Sequence, residues 1–186
     1  IDVTHVAEAI RYAADNGADV ISLSIVFYFS TSVLRDAIEY AFYDRDVLVV
    51  AAAGNEAAPA VNYPARYDCV ISVAATTEDD TLASYSNYGD YIDLVAPGGD
   101  FGVDSGIKST VPTGEGVLVH PSGYLSVVGT SMATPYVAGL AGLVKAHQDQ
   151  LSALEIRQIL ESTCRDLGAA GVDQYYGHGL VNVRDA

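Results

Sequence analysis

Gly129-Thr130-Ser131-Met132-Ala133-Thr134-Pro135 sets a serine where a glycine-containing turn meets a long apolar helix. The residues that follow, Ala133 to His147, are apolar nearly all round, the pattern of a buried helix. A serine in the first turn of such a helix lies among backbone N–H groups without intrahelical partners, in the field of the helix N-terminus. Both favour an oxyanion developing beside the hydroxyl. A serine hydroxyl is a weak nucleophile until a neighbouring base takes its proton. The stretch therefore points to acyl transfer and requires a histidine. Taken alone it has a second reading, since most serines in helix-starting turns only cap.

Around this stretch the chain alternates helical and strand patterns. Residues 4–16 put Val6, Ala9, Ile10 and Ala13 on one helical face, and Asn16-Gly17 ends the helix. Val20 to Val26 reads as a strand. Residues 31–45 read as an amphipathic helix with Val33, Leu34, Ile38 and Ala41 inward. Val47 to Ala52 reads as a nearly all-apolar strand, and Cys69 to Ala74 and Ile92 to Ala96 supply two more. Apolar strands between helices are what a parallel sheet covered on both faces requires, so the expected class is α/β. Residues 98–116 are rich in Gly, Asp and Ser and read as a surface loop, and 117–128 as a hairpin leading into the serine turn. A last helix, 152–164, opens on Ser152 as cap with Glu155 as its capping-box partner. No repeat, low-complexity tail or linker divides the 186 residues, which suit one domain.

The motifs occur in an order that carries a resemblance. Gly129–Pro135 resembles the serine motif of the subtilisin-like serine proteases, the subtilases. Ala51-Ala52-Ala53-Gly54-Asn55-Glu56, after the run Val47–Val50, resembles their oxyanion-hole segment. Tyr63-Pro64 resembles a family turn in which a cis proline is expected. Ala83–Gly89, Leu94–Gly98 and Tyr175–Asn182 resemble later family segments. These motifs stand in family order and cover nearly the whole chain.

The resemblance implies the roles that follow. Ser131 would be the nucleophile, and Asn55 would donate its side-chain N–H to the oxyanion beside the backbone N–H of Ser131, with Thr130 supporting the hole from behind. Two extended segments, Ser24-Ile25-Val26 and Ala52-Ala53-Gly54, would flank a peptide as added strands. Asn62 stands at the floor of the primary specificity pocket, where the expectation is apolar specificity. Two positions depart from the family pattern: Ile25-Val26-Phe27-Tyr28 replaces a glycine-containing stretch, and Tyr136 replaces a histidine. No cofactor is expected for the chemistry and no side-chain metal site is assigned. The resemblance makes a structural calcium possible at the carbonyls of Ala65, Tyr67 and Val70.

The family's catalytic order is Asp, His, Ser, and its histidine motif is not found here. The four histidines are His5, His120, His147 and His178. His120 is nearest to Ser131 in sequence, on a Pro/Gly-flanked loop, and is the candidate for a substitute base. Val103-Asp104-Ser105-Gly106-Ile107 has the letters of the family's aspartate motif, but it stands in a polar loop after the oxyanion segment and reads as an acidic turn. The resemblance thus implies the C-terminal portion of one peptidase domain over 1–186, with roughly the N-terminal third, its Asp and its His missing. The Asp-bearing strand would lie beside Val20–Val26. Its absence leaves an apolar strand edge that calls for a complementary N-terminal fragment.

Composition bounds the partners. A net charge of −15 disfavours nucleic acid and anionic membranes, and no apolar run has a membrane span's length. Cys69 and Cys164 permit one disulfide or two free thiols. The expected activity is a secreted or extracytoplasmic serine endopeptidase acting on protein or peptide substrates. The alternatives are an inactive peptide-binding fragment or pseudoenzyme, and another serine hydrolase that recruits His120.

Overall fold

Leu48–Ala52 (β2) is the strand on which the architecture turns, in a computed structural model that describes residues 2–102 and 105–186. All five of its residues are buried, as a strand covered on both faces must be. It lies in a four-stranded parallel sheet of order β1-β2-β3-β4, with Val20–Leu23 (β1), Val70–Thr76 (β3) and Leu94–Pro97 (β4). Side chains alternate across the sheet. Val49 and Ala51 enter one core with helices Val3–Asp15 (α1) and Ser32–Glu39 (α2). Leu48 and Val50 enter a second core with Thr130–His147 (α3) and Ala153–Ser162 (α4). The α/β expectation, helices on both faces of a parallel sheet, describes this arrangement.

Several boundaries differ from the sequence reading. The first strand stops at Leu23, so Ser24–Val26 runs on beyond the ladder. The second helix gives way to a π-helical turn at Tyr40–Asp44, and the buried stripe of Leu34, Ala37, Ile38 and Ala41 leaves Val33 at its margin, 47% exposed. In α1 the buried positions are Ala7, Ile10 and Ala14, and Ala9 is exposed. Ile107–Thr110 (β5) falls inside the expected surface loop and pairs antiparallel with Tyr124–Val127 (β6). Val103 and Asp104 of the aspartate-like stretch lie outside the described residues. The Tyr63-Pro64 bond is cis. Both cysteines are free thiols, Cys69 in the first core and Cys164 packed against the second, on opposite faces of the sheet.

The two sheet edges are unequal. On the β4 side, Val95 N–H donates to the Gly179 carbonyl and Val181 N–H to the Val95 carbonyl, each at 3.0 Å. The Tyr175–Asn182 motif therefore closes that edge. The outer edge of β1 has no strand partner among the described residues. Beside it, His5, Val6, Ala9, Ile10, Ile21, Leu23 and Ile25 line an open groove of about 330 Å³. The apolar face of α1 is thus divided between the core and this groove, which accounts for the exposure of Ala9.

The capping box expected at α4 is formed in both directions. Glu155 N–H donates to Ser152 Oγ at 3.3 Å, and Ser152 N–H donates to Glu155 Oε2 at 2.9 Å. Ser152→Ala is expected to lower stability by about 1 kcal/mol in denaturant titration. Hydrogen bonds from Ser152 hold the Glu155 carboxyl below its ordinary value of 4.5. Its share of the cap is present above that ordinary value and is lost as pH falls through the lower folded value.

Candidate active site

Gly129 opens α3 with φ +147°, a conformation that favours glycine. Its N–H donates to the Gly98 carbonyl and to Tyr85 Oη, each at 3.0 Å. Tyr85 Oη in turn lies 2.8 Å from the carbonyl oxygens of Gly98 and Gly99. Burial pushes the Tyr85 hydroxyl up to about 12, so it stays a neutral hydrogen-bonding strut. The turn before Ser131 is thereby fastened to the end of β4.

Thr130 is fully buried and links this turn to Asn55. Its backbone N–H and its Oγ1–H both donate to Asn55 Oδ1, each at 2.9 Å. Thr130 Oγ1 also accepts the Gly54 N–H at 3.3 Å. A backbone N–H can pair only with the oxygen of an amide side chain, so these contacts fix which way Asn55 faces. Its Nδ2 is directed away from Thr130 and has no acceptor among the described residues. The Ser131 N–H, in the first turn of α3, is likewise without an acceptor among them. An amide N–H and a backbone N–H free at the start of one helix can receive a developing negative charge.

Ser24 is tied directly to the serine, since its Oγ donates to the Ser131 carbonyl at 2.8 Å. The backbone groups of Ile25 and Val26, beyond the end of β1, have no hydrogen-bond partners among the described residues. Ala52-Ala53-Gly54 differs from the expectation of a second free edge. Ala53 N–H donates to the Val73 carbonyl at 3.0 Å, and the Ala53 carbonyl accepts Asn62 N–H at 3.0 Å. Asn87 Nδ2 also donates to the Ala53 carbonyl at 3.2 Å, and Asn87 N–H donates to the Gly54 carbonyl at 3.1 Å. With these groups consumed inside the chain, Ala52–Gly54 offers a peptide a wall rather than a strand partner.

Four side chains, Glu56, Asn62, Asn87 and Tyr28, lie together beside this wall, and of these the sequence assigned only Asn62 to a pocket. Asn87 is buried, accepts Glu56 N–H at 3.0 Å and Ala58 N–H at 3.1 Å, and donates to Glu56 Oε2 at 2.6 Å. Asn62, 9% exposed, donates to the same Glu56 oxygen at 2.8 Å. Tyr28 Oη donates to Glu56 Oε1 at 3.2 Å. Gly54 has φ +116°, and a Cβ there would strike Asn87 Nδ2, Asn62 Nδ2 and Glu56 Oε2. Gly54→Ala is expected to destabilise by on the order of 1–3 kcal/mol from backbone strain alone, read as a lower Tm. The only signal for Asn87 was its place in the Ala83–Gly89 motif.

No histidine among the described residues hydrogen-bonds Ser131. His5 lines the groove beside β1, His147 ends α3, and His178 N–H donates to the Asp93 carbonyl at 2.7 Å. His120 Nδ1 is engaged by Ser122 Oγ at 2.7 Å on the exposed loop between β5 and β6. On the other flank of Ser131 an open cavity of about 340 Å³ is walled by Ile107, Val127, Met132, Pro135 and Tyr136. Of the carbonyls of Ala65, Tyr67 and Val70, Tyr67's accepts Val70 N–H at 2.9 Å and Val70's accepts the Arg157 guanidinium at 3.4 Å.

The profile of the Subtilase family matches residues 2–179. The chain is 45% identical over 183 residues to thermitase of Thermoactinomyces vulgaris, covering 98% of this chain and 59% of that protein. It is 40% identical over 184 residues to subtilisin Savinase of Lederbergia lenta, covering 99% of this chain and 62% of that one. A lanthipeptide protease crystal structure superposes with TM-score 0.86 at 29% identity, over 99% of this chain and 65% of its own. A protease from Pseudoalteromonas arctica gives TM-score 0.86 at 35% identity, over 98% and 57%. The chain therefore spans 59% and 62% of the two curated relatives named.

Proposed function

The chain belongs to the subtilase family, and from that premise we propose that residues 1–186 are the C-terminal portion of one peptidase domain, a serine endopeptidase whose nucleophile is Ser131. Ser131 Oγ attacks the carbonyl carbon of a peptide bond and its proton passes to a histidine base. The carbonyl oxygen takes negative charge and receives N–H donors from Asn55 Nδ2 and the Ser131 backbone. Collapse breaks the C–N bond, and the departing amine takes the proton back from the histidine. Water then cleaves the acyl-enzyme ester by the same route in reverse. No metal or cofactor enters these steps. The observation that carries the proposal is the orientation of Asn55, whose oxygen is consumed by Thr130 while its N–H₂ is left to donate.

The base and its aspartate come, in this proposal, from a complementary N-terminal segment. The open β1 edge and the apolar groove beside it support this, because both would gain partners from an added strand. The 59% and 62% coverage of thermitase and Savinase leaves length in those proteins for such a segment. The proposed substrates are proteins or peptides, laid along Ser24–Val26. Among the described residues no helix is long and apolar enough to cross a membrane. The proposed place of action is secreted or extracytoplasmic, as is usual for subtilisins. The test is hydrolysis of a fluorogenic peptide by the chain alone and by the chain joined to an Asp- and His-bearing subtilase segment. Turnover only in the joined form supports the proposal, and turnover in neither would overturn it.

A further inference from the structure

We infer that Tyr85 is a positioning residue for the proposed chemistry, holding the Asn55 loop and the Ser131 turn at a fixed separation. This rests on the peptidase reading of Ser131. The two N–H donors of the oxyanion site stand on separate segments, Asn55 beyond the end of β2 and Ser131 in the first turn of α3. Tyr85 touches both. Its backbone carbonyl accepts Ala57 N–H at 2.9 Å, two residues after Asn55. Its hydroxyl accepts Gly129 N–H at 3.0 Å, two residues before Ser131. The Thr130–Asn55 hydrogen bonds join the segments directly, and Tyr85 adds a second brace from the segment that follows β3.

The brace is itself held. Tyr85 is 6% exposed. Ala83 N–H donates to the Ala75 carbonyl at 2.8 Å, and Ala75 N–H donates to Ser86 Oγ at 3.0 Å, which fastens the residues on both sides of Tyr85 to β3. Its ring meets that of Phe101 edge-on, with centroids 5.5 Å apart. Its single hydroxyl proton is directed at the carbonyls of Gly98 and Gly99, each 2.8 Å away. Gly98 makes room for this arrangement, since a Cβ there would lie 2.8 Å from Tyr85 Oη and 2.9 Å from the Gly129 carbonyl oxygen. A buried hydroxyl with its proton and its acceptor site both engaged has one orientation, and it gives one to the turn it holds.

Donors to a developing oxyanion must be placed to within about 0.5 Å, so a turn that loses one brace loses rate before it loses its fold. Tyr85→Phe removes only the hydroxyl's ties. The ring stays, the Ala57 contact is to backbone, and Gly129 N–H keeps the Gly98 carbonyl at 3.0 Å. Burial pushes the Tyr85 hydroxyl up to about 12, so it exchanges no proton in the reaction and its loss acts equally at every working pH.

The test uses this chain joined to an Asp- and His-bearing subtilase segment and a fluorogenic peptide. Tyr85→Phe is expected to lower kcat and the fluorophosphonate labelling rate about tenfold, with KM moved less than about twofold. The kcat ratio to wild type should be flat from about pH 6 to 10. Ser152→Ala is the stability control: its Tm falls and its kcat should not. Phe101→Ala, at a residue 72% exposed, loses the ring against Tyr85 without threatening the fold, and is expected to lower kcat about twofold to threefold. An unchanged kcat in Tyr85→Phe, a loss confined to KM, a ratio that varies with pH, or an equal kcat loss in Ser152→Ala would overturn the inference alone. Should Tyr85→Phe show no cooperative melting transition, Phe101→Ala decides, and an unchanged kcat there would overturn it. No turnover by the wild-type joined protein would overturn the peptidase reading, and this inference with it.

Discussion

Replacing Ser131 with alanine in the chain joined to an Asp- and His-bearing subtilase segment is expected to lower kcat by about six orders of magnitude, the loss found for the nucleophile of subtilisin. Without the hydroxyl no covalent intermediate forms, and what remains is the binding and oxyanion stabilisation supplied by Asn55 and the α3 N-terminus. The fold should hardly notice. Ser131 is tied in through its backbone, whose carbonyl accepts Ser24 Oγ at 2.8 Å, and alanine keeps that contact. Stability is expected to change by no more than about 0.5 kcal/mol. Peptide turnover and a denaturant titration on the same preparation check both halves. A variant that kept turnover would remove Ser131 from the chemistry, whatever its stability.

Asn55→Ala is expected to reduce kcat about 10²–10³-fold, or about 2.7–4 kcal/mol of transition-state stabilisation, again a magnitude measured in subtilisin. The donor acts on charge that exists only after attack, so KM should move little. Here the substitution also has a structural cost. Asn55 Oδ1 accepts two donors of the fully buried Thr130, and alanine would leave both unpaired, for about 1–3 kcal/mol of stability. Asn55→Asp separates the effects. The carboxylate still accepts from Thr130, so stability should be better kept. It has no N–H to give and sets a negative charge where the oxyanion forms, so kcat should fall at least as far. Steady-state kinetics beside Tm measurements on the two variants make the comparison.

The parts of the molecule legible in sequence were those where local pattern and final environment agree. Leu48–Ala52 is apolar throughout and lies in a sheet covered on both faces. Ser152 and Glu155 are three residues apart and form the box that spacing implies. Gly129 was legible because a turn into a helix needs a residue free to take φ +147°. Ile107–Thr110 was hidden because three of its four residues are exposed, so no alternation marks it as a strand. Val33 misled because it stands at the margin of the stripe of Leu34, Ala37, Ile38 and Ala41, and apolar character alone does not say where the covered stripe ends. The polar triad of Glu56, Asn62 and Asn87 joins residues up to 31 positions apart, a pairing that no local spacing encodes. Only their convergence on Gly54 reveals them. The backbone of Ala52–Gly54 was read as free because hydrogen bonds to Asn62 and Asn87 leave no trace in its own residues.

The most direct test of the account is fluorophosphonate labelling followed by intact mass and peptide mapping. Such probes react with a serine whose proton a nearby base can take. This chain alone should take up no probe, because no histidine among the described residues hydrogen-bonds Ser131. The chain joined to an Asp- and His-bearing subtilase segment should gain one adduct, on Ser131, and Ser131→Ala should gain none. An unlabelled joined protein with a cooperative melting transition would contradict the account and leave a peptide-binding fold without a working nucleophile.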